Sequence, residues 1–354
     1  MVGHLAPDFG NGDRQLVEKN RMKDIFNAIL RLLVKVALHI YFKKIIVEGK
    51  ENLPKDRPVI LVANHQNALI DPLLLATHTR LNPWFLTRAS VFVNPFISKV
   101  LHYIRMLPVY RVRDGFSTIQ QNQQTFDETF EVLRQNGTVV IFAEGSHSLV
   151  RNLRPLSKGF TRMAFGLKER YPDLEPVILP VGLGFSAHLR SGSTVRITFG
   201  KIIPVDMPSG QSGKLTKTVE TALKALIVDI PDQVYPATLE KLLDHEVDLT
   251  SKSAVETFLD QGQVHHPVGK VSGLGNKLMK IFHFPLYWLW LWKKSSMEDE
   301  VFSSTWKFLI GFGLAIPYYF FLLWLTLDTP VDSWGLTFLI LAWITLWKNQ
   351  NAQE

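Results

Sequence analysis

Seven short runs rich in Val, Ile, Leu and Phe, at 45–47, 59–63, 84–86, 107–110, 139–142, 177–181 and 195–199, constrain this chain most. Helix-patterned stretches at 73–78, 119–135 and 158–170 fall between them. Parallel neighbours cannot be joined by a tight turn. They need a crossover of about a dozen residues or more, usually a helix. Several runs are continuous rather than alternating, as strands covered on both faces are. The pattern predicts an α/β fold, a mostly parallel mixed sheet flanked by helices, over residues 45–205.

The flanks read differently. Residues 1–44 hold a polar tail and an apolar stretch, 24–42, interrupted every fourth residue by Asn27, Arg31, Lys35 and His39. On a helix these form one drifting polar stripe. Central cations argue against a span, so the stretch predicts an amphipathic helix in a membrane interface, its basic groups turned to lipid heads. A surface helix packed on the core is the alternative. Residues 206–300 turn polar, with helical patterns at 216–228 and 255–259, and predict a helical appendage. Within it, 281–292 is aromatic and bounded by Lys280, Lys293 and Lys294, as an interface-lying segment would be.

Residues 301–354 predict a transmembrane hairpin. Residues 308–327 carry no charge. At ~1.5 Å per residue, a helix of that length crosses a ~30 Å hydrocarbon core. Pro317 lies inside it and should kink it. An Asp-Thr-Pro-Val-Asp turn at 328–332 leads to a shorter apolar arm, 333–347, which spans by thinning the bilayer or stays re-entrant. Lys307 and Lys348 mark the hairpin ends and the acids mark its turn, so the α/β domain is expected on the cytoplasmic side. A hairpin buried in the core is the alternative.

The chain has no cysteine, which excludes a disulfide framework, a thiolate zinc site and a thiol nucleophile. Its net charge of +7 comes without a finger, an RNA-recognition motif or a basic tail, so no nucleic-acid partner is expected. The first fifteen residues lack the basic and apolar regions of a secretory signal.

Four stretches carry chemistry. The run at 59–63 stops at Asn64 and His65, and Asp71 followed by Pro72 comes six residues after the histidine. A residue before proline is pushed out of the helical region, Asp is a good N-cap, and Pro suits the first helical position. The expectation is a helix starting at Pro72, capped by Asp71, with 64–70 a loop. Positions six apart on one helix do not face each other, whereas a loop can fold the imidazole back onto the carboxylate. Asp71 as a cap and nothing more is the alternative. The run at 139–142 leads into Glu144, Gly145 and Ser146, then Arg151, Arg154 and Lys158, a turn with cations that suits an anion. Arg111 and Arg113 leave the run at 107–110, and guanidinium is a bidentate partner of phosphate. Pro180 inside 177–181 suggests a sheet edge or a bulge.

Together these stretches resemble, in the same order, the four motif blocks of the glycerolipid acyltransferase family, over roughly residues 45–204. Asn64 and His65 with Asp71 are similar to its His–Asp motif, residues 107–111 to its second block, Phe-Ala-Glu-Gly-Ser at 142–146 to its third, and 177–181 to its Pro-containing fourth. Two departures stand out. Five residues separate His65 from Asp71 where the family usually has four, and His147 replaces an Arg. Both features resemble a branch acting on glycerol 3-phosphate or dihydroxyacetone phosphate. The extra residue falls before the helix, where a loop absorbs it.

The resemblance implies a membrane-bound O-acyltransferase of phospholipid synthesis. His65 would be the general base and Asp71 its orienting partner. Arg111, Glu144, Gly145, Ser146 and Lys158 would bind substrate, with the acceptor phosphate on Arg111. The implied partners are membrane lipids, an acyl thioester donor (acyl-CoA or acyl-carrier protein) and a glycerol phosphate or lysophosphatidate acceptor. No metal or organic cofactor is implied. An acyltransferase for another head group, such as an aminolipid, and a non-catalytic lipid-binding protein are the alternatives.

Overall fold

The computed structural model describes residues 11–110, 118–262, 273–327, 337–338, 340–342 and 344. Helix α1 (Asn11–Tyr41) leads into β1 (Lys44–Glu48), β2 (Val59–Ala63), α2 (Ile70–His78), β3 (Trp84–Arg88), α3 (Pro95–Tyr103), β4 (Met106–Val109), α4 (Thr118–Arg134), β5 (Thr138–Phe142) and α5 (Gly159–Arg170). Then come β6 (Val177–Phe185), β7 (Thr194–Phe199), β8 (Ile203–Pro204) and helices α6 (Ser212–Leu226), α7 (Tyr235–Asp244), α8 (Lys252–Gln261), α9 (Gly273–Phe282), α10 (Phe284–Ser295) and α11 (Ser303–Leu327).

The strands form a sheet in the order β1-β7-β6-β2-β5-β3-β4, with β8 on β6. Every pairing is parallel except β6 with β7 and β6 with β8. The mixed, mostly parallel sheet expected from the alternation is present. Strand β2 is central, and all five of its residues are buried. Its period of two sends Leu61 and Ala63 to one face, under α1 and α2, and Ile60 and Val62 to the other, under α4, α5 and α6. Helix α6 lays Leu215, Val219 and Leu223 directly on that second face. The part of 206–300 read as an appendage therefore begins with a helix that belongs to the sheet. A smaller core of Val228, Leu242, Val255 and Phe258 follows it.

Pro180 settles an expectation with two alternatives. Strand β6 is interior, not an edge, and at Pro180 its register on the β7/β8 side slips by one residue, the bulge alternative. Pro180 sits where the partner of β6 changes, since Ile178 pairs with Ile203 of β8 and Val181 with Phe199 of β7. The Pro180 carbonyl accepts from the Gly200 N–H on that side, so the missing proline N–H falls in the gap between β7 and β8 and costs no ladder bond.

Helix α1 corrects another. Asn27 of the polar stripe is buried and donates to the Tyr103 carbonyl at 2.9 Å. Arg31 donates to Asn82. Val34 and Leu38 are buried, while Ile25, Ile29, Leu32, Leu33, Val36 and Ile40 are exposed. The first half of the stripe faces the protein, and the outward face is apolar. Hydrogen-bond partners on the β3–β4 side explain the inversion, because a buried amide needs them and an exposed leucine does not.

Gly182 of β6 tests the seat of α6. A Cβ there would lie 2.7 Å from the Leu226 Cβ and 2.8 Å from its carbonyl oxygen. Gly182→Ala is expected to lower stability by about 1–3 kcal/mol, the usual cost of overpacking. Thermal unfolding reads this, and an unchanged midpoint would show that α6 does not press on β6.

Candidate active site

Strands β2 and β5 run parallel and end side by side, Ala63 beside Phe142. The chain beyond each end builds the site. Asn64 first ties β2 to β6: its Nδ2 donates to the Leu183 carbonyl at 2.9 Å, and the Leu183 N–H donates to its Oδ1 at 2.7 Å. His65 follows. Its N–H donates to Glu144 Oε1 at 2.7 Å, and its carbonyl accepts from the Ser148 N–H at 3.1 Å. The backbone of the histidine is thus held from the β5 loop before its side chain is considered.

The imidazole turns back onto Asp71. Nδ1 lies 2.8 Å from Asp71 Oδ2. The same oxygen accepts the N–H groups of Gln66 at 2.8 Å and Asn67 at 2.7 Å. Asp71 is fully buried. An ionised carboxylate only accepts, so Nδ1 carries the proton and Nε2 holds a lone pair. Nε2 has no hydrogen-bond partner among the described residues, and the His65 side chain is 14% exposed. Phe142 stacks on the ring at 4.0 Å and 17°.

This pairing corrects the capping expectation. Helix α2 opens at Ile70, its N-cap residue is Leu69, and no side chain caps it. Asp71 lies within the first turn, where a negative charge suits the helix dipole. Its carboxylate leaves the helix and caps the loop instead. The pairing of His65 with Asp71 is present as expected.

Glu144 is the second buried carboxylate, with only 3% of its side chain exposed. Its Oε2 accepts from Arg154 Nε at 2.7 Å. Arg154 also donates to Ser146 Oγ at 2.6 Å and to the Ser146 carbonyl. Burial pushes the Glu144 carboxyl above its ordinary value, against the pull of Arg154 and the His65 N–H. Gly145 has φ of 73° and takes the left-handed turn that a side chain would strain. His147 stands edge-on to His65 at 5.7 Å. Burial, then the neighbouring His65, holds its imidazole below the ordinary 6.5.

The structure therefore brings His65, Asp71, Glu144, Gly145 and Ser146 together. Lys158 is exposed at the start of α5, and no contact joins its side chain to that cluster among the described residues. Arg111 and Arg113 lie outside the described residues. The reading of Arg151 and Arg154 as anion ligands is corrected. Arg151 is buried and donates to the carbonyls of Phe185 and Ser186, and Arg154 is committed to Glu144 and Ser146.

Sequence reasoning missed the far wall. Thr305 Oγ1, in the first turn of α11, accepts the Leu69 N–H at 3.3 Å. Ser304 donates to the His188 carbonyl, which also accepts from Asn67 Nδ2 at 3.1 Å. Lys307 Nζ donates to the Leu189 carbonyl at 2.6 Å. His188 itself pairs with Gln66 Oε1 at 3.1 Å, and burial drives it well below 6.5 into the neutral form. Leu69 and Thr305 are 236 residues apart, and no local pattern announces such a contact.

An imidazole fixed through Nδ1 by a buried carboxylate, with Nε2 open, has the arrangement that can accept a proton as a general base. Residues 44–184, from β1 into β6, match the family described as Acyltransferase. The family resemblance read from the motif blocks is borne out. The 1-acyl-sn-glycerol-3-phosphate acyltransferase of Borreliella burgdorferi is 31% identical over 137 residues, covering 38% of this chain and 52% of that protein. Glycerol-3-phosphate O-acyltransferase 2 of Saccharomyces cerevisiae is 34% identical, covering 56% of this chain and 42% of its own length. The chain thus spans about half the length of these relatives. The crystal structure of the 1-acyl-sn-glycerophosphate (LPA) acyltransferase PlsC from Thermotoga maritima is similar at 22% identity and a TM-score of 0.44, covering 58% of this chain and 81% of that one.

The Glu144–Arg154 pair is asymmetric, with side-chain exposures of 3% and 26%. Removing one partner of a fully buried pair costs about 3–5 kcal/mol, and partial exposure reduces this. Arg154→Met strands a buried carboxylate, whereas Glu144→Gln leaves an arginine that water can reach. Chemical unfolding is expected to show the larger loss for Arg154→Met; the reverse order would mean that the pair is not what stabilises the loop.

Proposed function

We propose that this protein is a membrane-bound O-acyltransferase moving a fatty acyl group from an acyl thioester to a hydroxyl of glycerol 3-phosphate or 1-acylglycerol 3-phosphate. The observation that carries the reading is the 2.8 Å His65–Asp71 contact with Nε2 open. Nε2 accepts the proton of the acceptor hydroxyl as that oxygen attacks the thioester carbonyl. The C–O bond forms, the C–S bond breaks, and the proton leaves with the thiolate. Asp71 stabilises the imidazolium formed on the way, the division of labour of a Ser-His-Asp triad without an enzyme nucleophile. The relatives' names support both acceptors, a glycerol phosphate and its acylated form.

Arg111 is proposed to hold the acceptor phosphate, with Glu144, Gly145 and Ser146 shaping the pocket and Lys158 at its margin. The donor is acyl-CoA or acyl-carrier protein, and the chemistry written here calls on no metal or organic cofactor. Membrane binding is supported by a candidate span, Glu300–Trp324, which takes in most of α11, is long and apolar enough to cross a bilayer, and exposes most of its apolar side chains beyond Phe308. It is supported too by the outward apolar face of α1. A cytoplasmic catalytic domain follows from Lys307 and Lys348 at the hairpin ends against Asp328 and Asp332 in its turn. That turn and Lys348 lie outside the described residues, and only 337–338, 340–342 and 344 of the second arm lie within them.

His65→Ala is expected to abolish acyl transfer in a folded protein. Asp71→Asn should lower kcat by up to about 10⁴-fold, the effect of breaking an orienting carboxylate in a triad. Normal turnover in a verified His65→Ala sample would remove the mechanism. An Asp71→Asn variant that lost only thermal stability would reduce Asp71 to a loop cap.

Arg111→Lys keeps the charge but loses the bidentate fork. It is expected to raise the acceptor KM by the equivalent of roughly 1.5–3 kcal/mol, one charge-assisted hydrogen bond, and to leave the donor KM unchanged. Kinetics with both substrates varied decide this. Equal loss with a phosphate-free acceptor would favour the aminolipid reading.

A further inference from the structure

The segment between β3 and β4 presents an apolar surface that the proposed chemistry does not use. Strand β3 is parallel to β5, so Arg88 emerges at the same edge of the sheet as Phe142 and the active-site loops. Beyond it Val91 is exposed, and Val93 and Phe96 are 72% and 71% exposed. Helix α3 is rigidly started: Pro95 takes its first turn and Asn94 Oδ1 accepts the Ile97 N–H at 2.9 Å. Phe96, Val100 and Tyr103 then share one helical face, and all are exposed. Lys99 is exposed beside them. A soluble surface rarely gathers five large apolar side chains on one short element without a partner.

Continuity says what that partner is. Tyr103 meets Phe26 of α1 edge-on at 5.2 Å, and its carbonyl accepts from Asn27. The α3 face therefore joins the exposed apolar face of α1. At its other end α1 meets α11, where Tyr41 packs edge-on against Phe308 at 5.8 Å. That contact is part of the core, so α11 packs against the same helix whose exposed apolar face continues onto α3. We infer that Val91–Val93 and helix α3 form a second membrane-inserting element that seats the mouth of the active site in the lipid head-group layer, with Lys99 among the phosphates. The occupant is a phospholipid bilayer, and the inference rests on the membrane-bound reading above. Phe96 inserted at the active-site edge would let a lipid-borne acceptor reach His65 without leaving its leaflet.

The absence of cysteine makes the test direct. Single-cysteine variants of the full chain, Phe96→Cys, Leu32→Cys and Lys201→Cys, are labelled with an environment-sensitive fluorophore and reconstituted in phosphatidylcholine/phosphatidylglycerol vesicles. Lys201 is exposed beyond β7, whose antiparallel pairing with β6 carries the chain away from the active-site edge. The label at position 96 is expected to shift to the blue and to be quenched by spin-labelled acyl chains, as at position 32, while the label at 201 does neither. A label at 96 that stays as water-exposed as at 201, while 32 senses lipid, overturns this inference alone. Failure at 32 as well, with release of the intact chain by carbonate washing, overturns the membrane reading with it. Disulfide formation between two copies of the unlabelled Phe96→Cys variant overturns it in favour of self-association. A second readout uses the double variant Val93→Ser/Phe96→Ser. Its KM should rise several-fold for a long-chain acceptor in vesicles and stay unchanged for a water-soluble short-chain acceptor. Equal change on both acceptors counts against a membrane role.

Discussion

The structure turns on one buried oxygen. Asp71 Oδ2 receives the His65 imidazole N–H and the backbone N–H groups of Gln66 and Asn67, all within 2.8 Å. Removing a carboxylate from water costs several kcal/mol even after relaxation. Three charge-assisted bonds, each worth about 1.5–3 kcal/mol, offset that cost. The carboxylate cannot stay buried unless the loop wraps it, and the loop cannot wrap it without presenting His65 with Nδ1 inward and Nε2 outward. Folding the loop and orienting the imidazole are one event.

That loop is over-determined from outside. Asn64 anchors it to β6, Glu144 holds the His65 N–H from β5, and Thr305 holds Leu69 from α11. Glu144 is in turn held by Arg154, which also fixes Ser146. The side chains that look like substrate ligands in the sequence thus divide. Some stabilise the frame, and the open positions are few. Parallel strands place this frame at their C-terminal edge, where open sheets present their ligands.

The same logic governs the outer surface. Helix α1 turns Asn27 and Arg31 to the protein because they find acceptors there, and its leucines and isoleucines are left outward. Its amphipathic character was legible, but which face met the domain depended on carbonyls such as that of Tyr103, supplied by a distant segment. Helix α11 serves as candidate span and as wall of the site, so its first turn touches the His65–Asp71 loop through Thr305 and Leu69. Trp306 of that helix accepts the Lys293 ammonium at 4.4 Å, and Trp290 of α10 accepts that of Lys307 at 4.8 Å, locking the two helices where they leave the domain.

What the sequence determined by itself was local or periodic. Runs of β-branched residues placed the strands, with β2 found residue for residue at 59–63. The Asn-His and Asp-Pro signals at a strand end located the loop of the candidate site, because strand propensity, proline stereochemistry and side-chain chemistry all act within a few residues. Helix α3, between the runs at 84–86 and 107–110, was not read from the sequence; none of its nine residues is buried, so no core-facing stripe marks it. Only the tertiary structure decided the rest: that Asp71 caps the loop rather than its helix, that Arg151 and Arg154 are structural, that Pro180 sits inside the sheet, and that Thr305 reaches Leu69. Each depends on a partner brought in by the fold from elsewhere in the chain. A buried charge or amide is placed by the donors and acceptors that surround it, and these are fixed only once the sheet has brought them together.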